Sequence, residues 1–123
     1  MSDQPQAYRV SWDDELGVAR VTWAPGAVCS GQQARETTDL LRAMGRGAVP
    51  LLVDMRGMAS LERAARDHYG AEQGGMSAIA LLAGSAVNRM LANFFIGLKK
   101  PAIPVKMFTD EATAVTWLRE SSP

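Results

Sequence analysis

The sequence predicts an α/β domain whose mixed sheet opens with an antiparallel hairpin and continues with alternating helices and mainly parallel strands. Two segments of alternating apolar and polar residues flank a polar turn near the start. Short continuous apolar runs follow, separated by segments with the helical period. Strands that alternate with helices favour parallel pairing through right-handed crossovers. With 123 residues and 47% hydrophobic content, we expect a single domain over residues 1–123, with its core at about 7–119.

The opening hairpin is predicted from residues 8–12, YRVSW, and residues 18–23, VARVTW. Each segment places its aromatic and aliphatic residues on one face of a strand. The polar stretch DDELG between them suits a turn, and Pro25 with Gly26 ends the second strand.

The first helix is predicted to start after Ser30, which forms a capping-box pair, S-x-x-Q, with Gln33. Gly45 and Gly47 end this helix. The positions that share its inner face are Ala34, Thr37, Leu41 and Met44.

The second half of the chain repeats the order of strand, cap and helix three times. PLLVDM is a buried strand, and Ser60 is predicted to cap the helix after it. SAIALLA is the next strand, followed by a helix from Ser85 to about Leu98. PVKMFT is the last strand, and Asp110 caps the last helix. The inner face of the helix after Ser60 is expected to carry Leu61, Ala65 and His68.

Composition excludes several classes of function. The formal net charge is zero, which is a poor basis for binding nucleic acid. No apolar stretch approaches the roughly 20 residues that span a bilayer, and the N-terminus lacks the pattern of a secretory signal, so we expect a cytoplasmic protein. Cys29 is the one cysteine and is interpreted as a small buried side chain, and His68 is the one histidine. We therefore expect no metal site and no cofactor.

Three stretches, LLVDMRG, AIALLAGSAVNRMLANFF and KPAIPVKMFTDEATAVTWL, resemble the SpoIIAA-like fold shared by STAS domains and anti-sigma-factor antagonists. The last two are similar to a set of small stand-alone bacterial members with no assigned activity. The resemblance covers most of the chain from about Leu51 onward. It implies a non-catalytic regulatory or protein-interaction module.

The resemblance also bears on the acid-ending strand. In anti-sigma-factor antagonists, a kinase-like partner phosphorylates a serine at the head of the helix that follows this strand. Asp54 matches the strand-end acid, but Arg63 occupies the place of that serine and Ser60 is out of register by about one helical turn. We therefore interpret Ser60 as an N-cap and do not expect its phosphorylation.

A ligand site is predicted where three helices start beyond the carboxyl ends of parallel strands, because this edge of an α/β sheet favours ligands. Free backbone donors and the positive end of the helix dipole suit a small anion. The alternative is that these loops are solvated and their caps are structural. The ligand-binding candidates are Asp54, Arg56, Ser60, Ser85, Asn88 and Arg89.

A partner surface is predicted on the helix after Ser85. The expected inward stripe consists of Val87, Met90 or Leu91, Phe94 and Leu98. This leaves Phe95 and Ile96 turned partly outward beside Asn93, where they could form a homo-oligomer, expected to be a dimer, or bind a partner. The alternative is that they tuck under the turn at 99–104. The resemblance adds Arg63 and Arg66, because the second helix helps to form the partner-binding surface in that family.

Two functions remain open at this point. The first is a non-catalytic module that docks a protein partner or a second copy. The second is a protein that binds a small molecule or a lipid-like ligand, either at the strand-end loops or in an apolar crevice beneath the Phe94 helix. An enzyme is not expected, because no catalytic motif is present and His68 lies about two helical turns beyond Ser60, away from Asp54.

Overall fold

The computed structural model describes residues 7–71, 76–96 and 103–121, and the fold is given for these residues. The strands are β1 (Tyr8–Asp13), β2 (Val18–Trp23), β3 (Ala27–Cys29), β4 (Pro50–Asp54), β5 (Met58–Leu61), β6 (Ala78–Leu82) and β7 (Val105–Phe108). The helices are α1 (Gly31–Ala43), α2 (Arg63–Ala71), α3 (Ala86–Ile96) and α4 (Glu111–Ser121). No helix in this part of the chain is long and apolar enough to cross a membrane.

The main sheet has five strands in the order β1-β2-β4-β6-β7. β1 pairs with β2 in antiparallel fashion, and every later neighbour in this sheet is parallel. Each parallel strand is added on the same side of the previous one, so that right-handed crossovers place α1, α2 and α3 on one face of the sheet. The predicted mixed sheet with its N-terminal hairpin is confirmed.

The core lies on both faces of the sheet. Leu52, Ala80 and Leu82 face α4, where they pack with Ala114 and Leu118. The alternate strand positions face the three crossover helices and form a second cluster, which contains Val21, Leu51, Leu81, Ala34, Ala65 and Ala92. Because both faces are covered, the central strands are continuous apolar runs, as the sequence indicated.

A second sheet, formed by β3 and β5, was not predicted. These short strands pair in parallel, with Val28 opposite Ser60 and Cys29 opposite Leu61. The prediction that Ser60 caps a helix is therefore wrong, because Ser60 is an exposed residue of β5. The helix starts at Arg63 instead, and the carbonyl of Glu62 accepts the N–H of Arg66.

The other predicted caps are confirmed. The Ser30 hydroxyl accepts the Gln33 N–H at 3.2 Å, and the Gln33 side chain accepts the Ser30 N–H in return. The Ser85 hydroxyl accepts the Asn88 N–H at 3.0 Å. The Asp110 carboxylate accepts the N–H of Thr113 at 2.8 Å. Side-chain acceptors thus satisfy free donors at the starts of α1, α3 and α4.

The predicted orientation of α3 is wrong in its first turns. Val87, expected to face inward, is 48% exposed, and of the alternatives Met90 or Leu91 it is Leu91 that is half-buried, whereas Met90 is 64% exposed. The inward positions are Asn88 and Ala92, which are buried. The side chain of Phe95 and the predicted end of the helix at Leu98 lie outside the described residues.

Gly57 is required by a close approach between two loops. The Gly57 carbonyl accepts the N–H of Gly26 at 2.8 Å. A Cβ at position 57 would lie 2.6 Å from the Trp23 carbonyl oxygen and 2.7 Å from the Ala24 carbonyl carbon. Both contacts are with backbone atoms, which cannot rotate away. The loop after β4 therefore packs directly on the loop after β2.

We predict that Gly57→Ala lowers the free energy of unfolding by about 1–3 kcal/mol, because the added methyl group forces these backbones apart. Gly84→Ala is the matched control, since its Cβ would meet its nearest neighbour, Arg56 Cγ, at an ordinary 3.5 Å. We expect that control to stay within about 1 kcal/mol of the wild type in urea denaturation. Equal effects of the two substitutions would contradict the close approach.

Candidate functional site

The carboxyl ends of the parallel strands form a corner in which backbone hydrogen bonds join successive loops. The N–H of Met55, just after β4, donates to Leu82 O at 3.0 Å. The N–H of Ala83, just after β6, donates to Phe108 O at 2.9 Å. These bonds continue the ladders of the sheet into the loops. The corner is thus fixed by the backbone before any side chain contributes.

Asp54 and Arg56 form a two-pronged ion pair in this corner. Arg56 Nε and Nη2 donate to the two carboxylate oxygens of Asp54 at 2.9 and 2.8 Å, and the Arg56 backbone N–H donates at 3.2 Å. Burial acts to raise the pKa of Asp54, but the hydrogen bonds and charge of Arg56 outweigh burial, so that this pKa is lowered. A lowered pKa makes this carboxylate a weak base, and Arg56 binds both of its oxygens, so Asp54 is poorly suited to act as a general base.

Asn88 is the polar centre of the corner and is only 2% exposed. Its amide nitrogen donates to the Met58 carbonyl at 2.8 Å. Its amide oxygen accepts the N–H groups of Gly84 and Ser85 at 3.3 and 3.4 Å. The side chain therefore links β5 to the turn between β6 and α3. Both ends of its amide bind the protein itself, which gives Asn88 a structural role.

The structure brings four of the predicted ligand residues into one corner. A Cβ at Gly84 would touch Arg56 and lie 3.9 Å from Asn88 Oδ1, so Arg56 and Asn88 flank this turn, with Asp54 and Ser85 adjoining. Arg89 is exposed on α3. Ser60 is on the exposed side of β5 and caps no helix at the corner.

A second group of charges on the α4 face was not predicted. Arg20 on β2 donates to Asp13 at 3.1 Å and to Glu111 at 3.2 Å. The charge of Arg20 also lowers the pKa of Asp54, after the larger effects of burial and Arg56. The alternation of VARVTW does place Arg20 on the polar side of its strand, but its partners are distant in sequence. Arg20 is thus paired with one acid on β1 and one at the start of α4.

Two hydrogen bonds between side chains hold α1 to α2. Thr37 Oγ1 lies 2.7 Å from Tyr69 Oη, and Thr38 Oγ1 lies 2.9 Å from His68 Nε2. Thr37 Oγ1 and Thr38 Oγ1 also donate to the Ala34 carbonyl. His68 is thus bound to α1.

Cys29 is fully buried on β3, as interpreted from the sequence. Burial raises the pKa of its thiol to about 11. Burial also raises the pKa of the neighbouring Tyr69 hydroxyl. Neither group ionises near neutral pH, and neither is poised as a nucleophile.

An apolar cavity of about 80 Å³ lies between the main sheet and the α1–α2 pair. Thr37 and Tyr69 contribute hydroxyls to its wall, and these two hydroxyls bind each other. The sequence placed an apolar crevice beneath the Phe94 helix, whereas this cavity lies beneath the first two helices. Its other wall residues include Val21, Leu51, Leu81, Leu41 and Met58. Within the three described ranges, no group of three His, Cys, Asp or Glu side chains could hold a metal ion.

We predict that Asn88→Ala lowers the free energy of unfolding by about 1–3 kcal/mol, because the buried Met58 carbonyl loses its donor. Asn93→Ala is the matched control, since Asn93 is exposed on the same helix. The control should change stability by no more than about 0.5 kcal/mol in thermal or urea unfolding. If both variants unfold alike, the amide of Asn88 does not hold the corner together.

One solved structure agrees with this fold. A solved structure from Shewanella loihica PV-4, described as an uncharacterized DUF3478 family protein with a SpoIIAA-like fold, aligns with a TM-score of 0.66. It is 16% identical and covers 96% of this chain and 98% of its own. A protein of unknown function from Arthrobacter sp. FB24 is 37% identical over 90% of this chain and 98% of its own, with a TM-score of 0.35.

The curated proteins give no match to this sequence. A family model described as a domain of unknown function, DUF7793, matches residues 13–122. The chain has a SpoIIAA-like fold and belongs to the DUF7793 family.

Proposed function

We propose that this domain is a non-catalytic, STAS-like protein-interaction module that docks a protein partner through α3 and the adjacent side of α2. The observation that carries the proposal is the apolar surface of α3. Val87 is 48% exposed, Met90 is 64% exposed and Ile96 is 37% exposed. Val87 and Met90 lie one helical turn apart, and exposed apolar groups that cluster in this way favour a covered surface.

The spacing of these residues supports a docking role. Val87, Met90, Leu91 and Phe94, here termed the α3 stripe, follow the i, i+3, i+4, i+7 pattern of a helix that packs against another element. Leu91 and Phe94 are half-buried, whereas Val87 and Met90 face solvent. The stripe therefore runs from the edge of the core outward. Ile96 and Asn93, expected at a partner interface, are both exposed near the end of α3.

The α2 side of the surface is cationic. The Arg66 guanidinium lies 5.7 Å from the centre of the Phe94 ring, so α2 reaches the stripe. Arg63 is exposed one helical turn earlier. Arginine and apolar side chains are enriched at protein interfaces, where arginine also supplies many energetically important contacts. These positions support the resemblance-based expectation that the second helix takes part in partner binding.

The strand-end corner supports a non-catalytic reading. Asp54 and Arg56 occupy each other, and the amide of Asn88 binds the backbone of two neighbouring segments. His68 and Tyr69 are engaged in the contact between α1 and α2. Each of these polar groups has a structural partner in the fold. A binding surface accounts for the exposed residues without requiring any of them to react.

We predict that a photo-crosslinking amino acid at Arg66 or at Met90 captures the same protein in cells of the source organism, and that one at Thr116 does not. Thr116 is exposed on α4, on the opposite face of the sheet, and serves as the control position. Adding Met90→Glu to the Arg66-labelled protein should abolish capture, because it places a charge in the apolar contact. A captured species of twice the chain mass would identify the partner as a second copy.

The docking proposal is wrong if capture is equal at all three positions. It is equally wrong if Met90→Glu leaves capture at Arg66 unchanged while circular dichroism shows the variant folded.

The cavity favours a second candidate function, the binding of a slender apolar ligand such as part of a lipid-like chain. Its volume of about 80 Å³ is smaller than the roughly 150 Å³ engineered cavity that holds benzene. The hydroxyls of Thr37 and Tyr69 in its wall bind each other. Water would therefore find few free polar groups in the cavity, which favours an apolar ligand. A thin aliphatic segment fits this space better than a ring.

We predict under this second function that native mass spectrometry of freshly purified protein shows a retained small molecule. Leu41→Phe should remove it, because Leu41 lines the cavity and the larger ring fills the space. Leu40→Phe should retain it, since Leu40 is the adjacent but exposed residue. A wild-type protein without added mass, or one whose added mass survives Leu41→Phe, would contradict this function.

A further inference from the structure

We infer that this domain forms a homodimer in which the β1 strands of two copies pair in antiparallel fashion and join the two main sheets into one. The inference goes beyond the proposed docking function and concerns a different surface. It follows from the backbone groups at the outer edge of β1, from the charges along that strand and from an exposed leucine beside it.

β1 is an edge strand with a row of outward-directed backbone groups. It stands at the end of the five-stranded sheet, with β2 as its neighbour. The Ala24 N–H donates to the carbonyl of Ala7 at 2.8 Å, and these residues lie opposite each other when the register is extended by one residue. Hydrogen-bonded and non-bonded pairs alternate in an antiparallel ladder, so the backbone groups of Tyr8, Val10 and Trp12 point away from β2. These groups have no hydrogen-bond partner among the residues that the structure describes. Such an edge accepts a further strand.

A second β1 strand matches this edge. In a two-fold contact the two strands run in opposite directions, and the outward-directed groups of one face those of the other. New hydrogen bonds then join even-numbered residues of both copies, so odd-numbered residues also lie opposite one another. The even-numbered side chains, Tyr8, Val10 and Trp12, pack with the cluster that faces α1 and α2. The odd-numbered side chains lie on the face that carries α4, where Asp13 binds Arg20. Paired in this way, the two sheets continue into each other with the same face upward.

The charges of β1 are complementary in one of these registers. Arg9 is exposed and forms no ion pair within residues 7–71, 76–96 and 103–121. When Ser11 lies opposite the partner's Ser11, Arg9 lies opposite the partner's Asp13, and the two-fold axis makes this pair twice. Asp13 accepts Arg20 Nε on one carboxylate oxygen and the Leu16 N–H on the other, which leaves lone pairs on both. Opposite charges across a strand pair stabilise it, so this register is favoured.

An exposed leucine lies beside the same edge, on the helical side of the sheet. The Tyr8 hydroxyl donates to Glu36 on α1 at 2.6 Å, and the Arg46 guanidinium lies 4.2 Å from the centre of the Trp12 ring. α1 therefore runs alongside β1 in the same direction. Leu40 follows Glu36 by one helical turn on the same side of α1 and is 45% exposed. A second copy paired with β1 covers this apolar side chain.

Pairing through β1 leaves the docking surface accessible. α3 packs on β7, the strand at the opposite end of the five-stranded sheet. A dimer of this kind therefore carries one α3 stripe at each of its two outer ends. A partner with two matching segments binds such a dimer more tightly than it binds one domain.

The inference can be tested by solution mass and by disulfide trapping. Light scattering at micromolar concentration should give twice the chain mass of 13.2 kDa. Val10→Pro should give a folded monomer, because the Val10 N–H points outward and proline is tolerated on that side of an edge strand. Ser11→Cys should form a disulfide-linked dimer on mild oxidation, since the two thiols meet at the two-fold axis. Thr22→Cys is the matched control, exposed on the same face of β2, and should not form this bond.

A charge reversal tests the register. Arg9→Asp places two acids opposite each other at both ends of the strand pair and should weaken dimerisation about 10-fold. Arg119→Asp makes the same change of charge at an exposed position of α4 and should leave dimerisation unchanged.

The inference is overturned by a monomer at these concentrations, by a folded Val10→Pro variant that remains a dimer, or by a failure of Ser11→Cys to crosslink. It is equally overturned by a dimer that Met90→Glu dissociates and Arg9→Asp does not, because that dimer forms through α3. If circular dichroism shows Val10→Pro unfolded, the results for Ser11→Cys and Arg9→Asp decide. Capture at Arg66 and Met90 tests the docking surface separately, so either proposal can fail without the other.

Discussion

The buried amide of Asn88 is the interaction on which the strand-end corner and the surface of α3 depend. A buried amide is costly unless its donor and acceptor are both satisfied. Asn88 meets this requirement by binding the Met58 carbonyl on β5 and the N–H groups of Gly84 and Ser85. It therefore joins the small sheet to the main sheet. A helix that turns Asn88 inward has to place other residues outward.

The apolar surface of α3 is a consequence of that rotation. Successive helical residues are about 100° apart, so an inward Asn88 carries Val87 to one side and Met90 toward solvent. Periodicity alone would put Val87, and either Met90 or Leu91, in the core. The hydrogen bonds of Asn88, with the small Ala92 beside it on the inner face, instead turn α3 so that Val87 and Met90 are exposed. The same interaction thus shapes the corner internally and exposes the stripe externally.

Local signals in the sequence predict most of the fold. The capping pair Ser30–Gln33, the caps Ser85 and Asp110, and the alternation in the first two strands act over a few residues and give the observed elements. β3 and β5 escape prediction because they have three and four residues, too few for a period to be visible, and because their pairing joins distant parts of the chain. Ser60 has the residue type of a cap but the environment of an exposed strand position.

The candidate site is predicted less completely. The rule that parallel strands end at one edge correctly brings Asp54 and Arg56 beside Ser85 and Asn88. It does not predict that Asp54 and Arg56 bind each other, or that the amide of Asn88 binds backbone groups. Such hydrogen-bond partners depend on three-dimensional packing. The Arg20 pairs are missed for the same reason. The place that the sequence suggests for an anion contains, in the structure, the Asp54–Arg56 ion pair and the hydrogen-bonded amide of Asn88, and anion binding there stays a prediction.

Solvent paramagnetic relaxation in NMR tests the central claim most directly, because one soluble paramagnetic agent reports on both sides of α3. The account predicts weak relaxation of the Asn88 side-chain amide protons and strong relaxation of the Met90 methyl group. Strong relaxation at Asn88 with a shielded Met90 would mean that α3 is turned as its apolar periodicity alone suggests. That result would contradict both the corner and the docking surface derived from it.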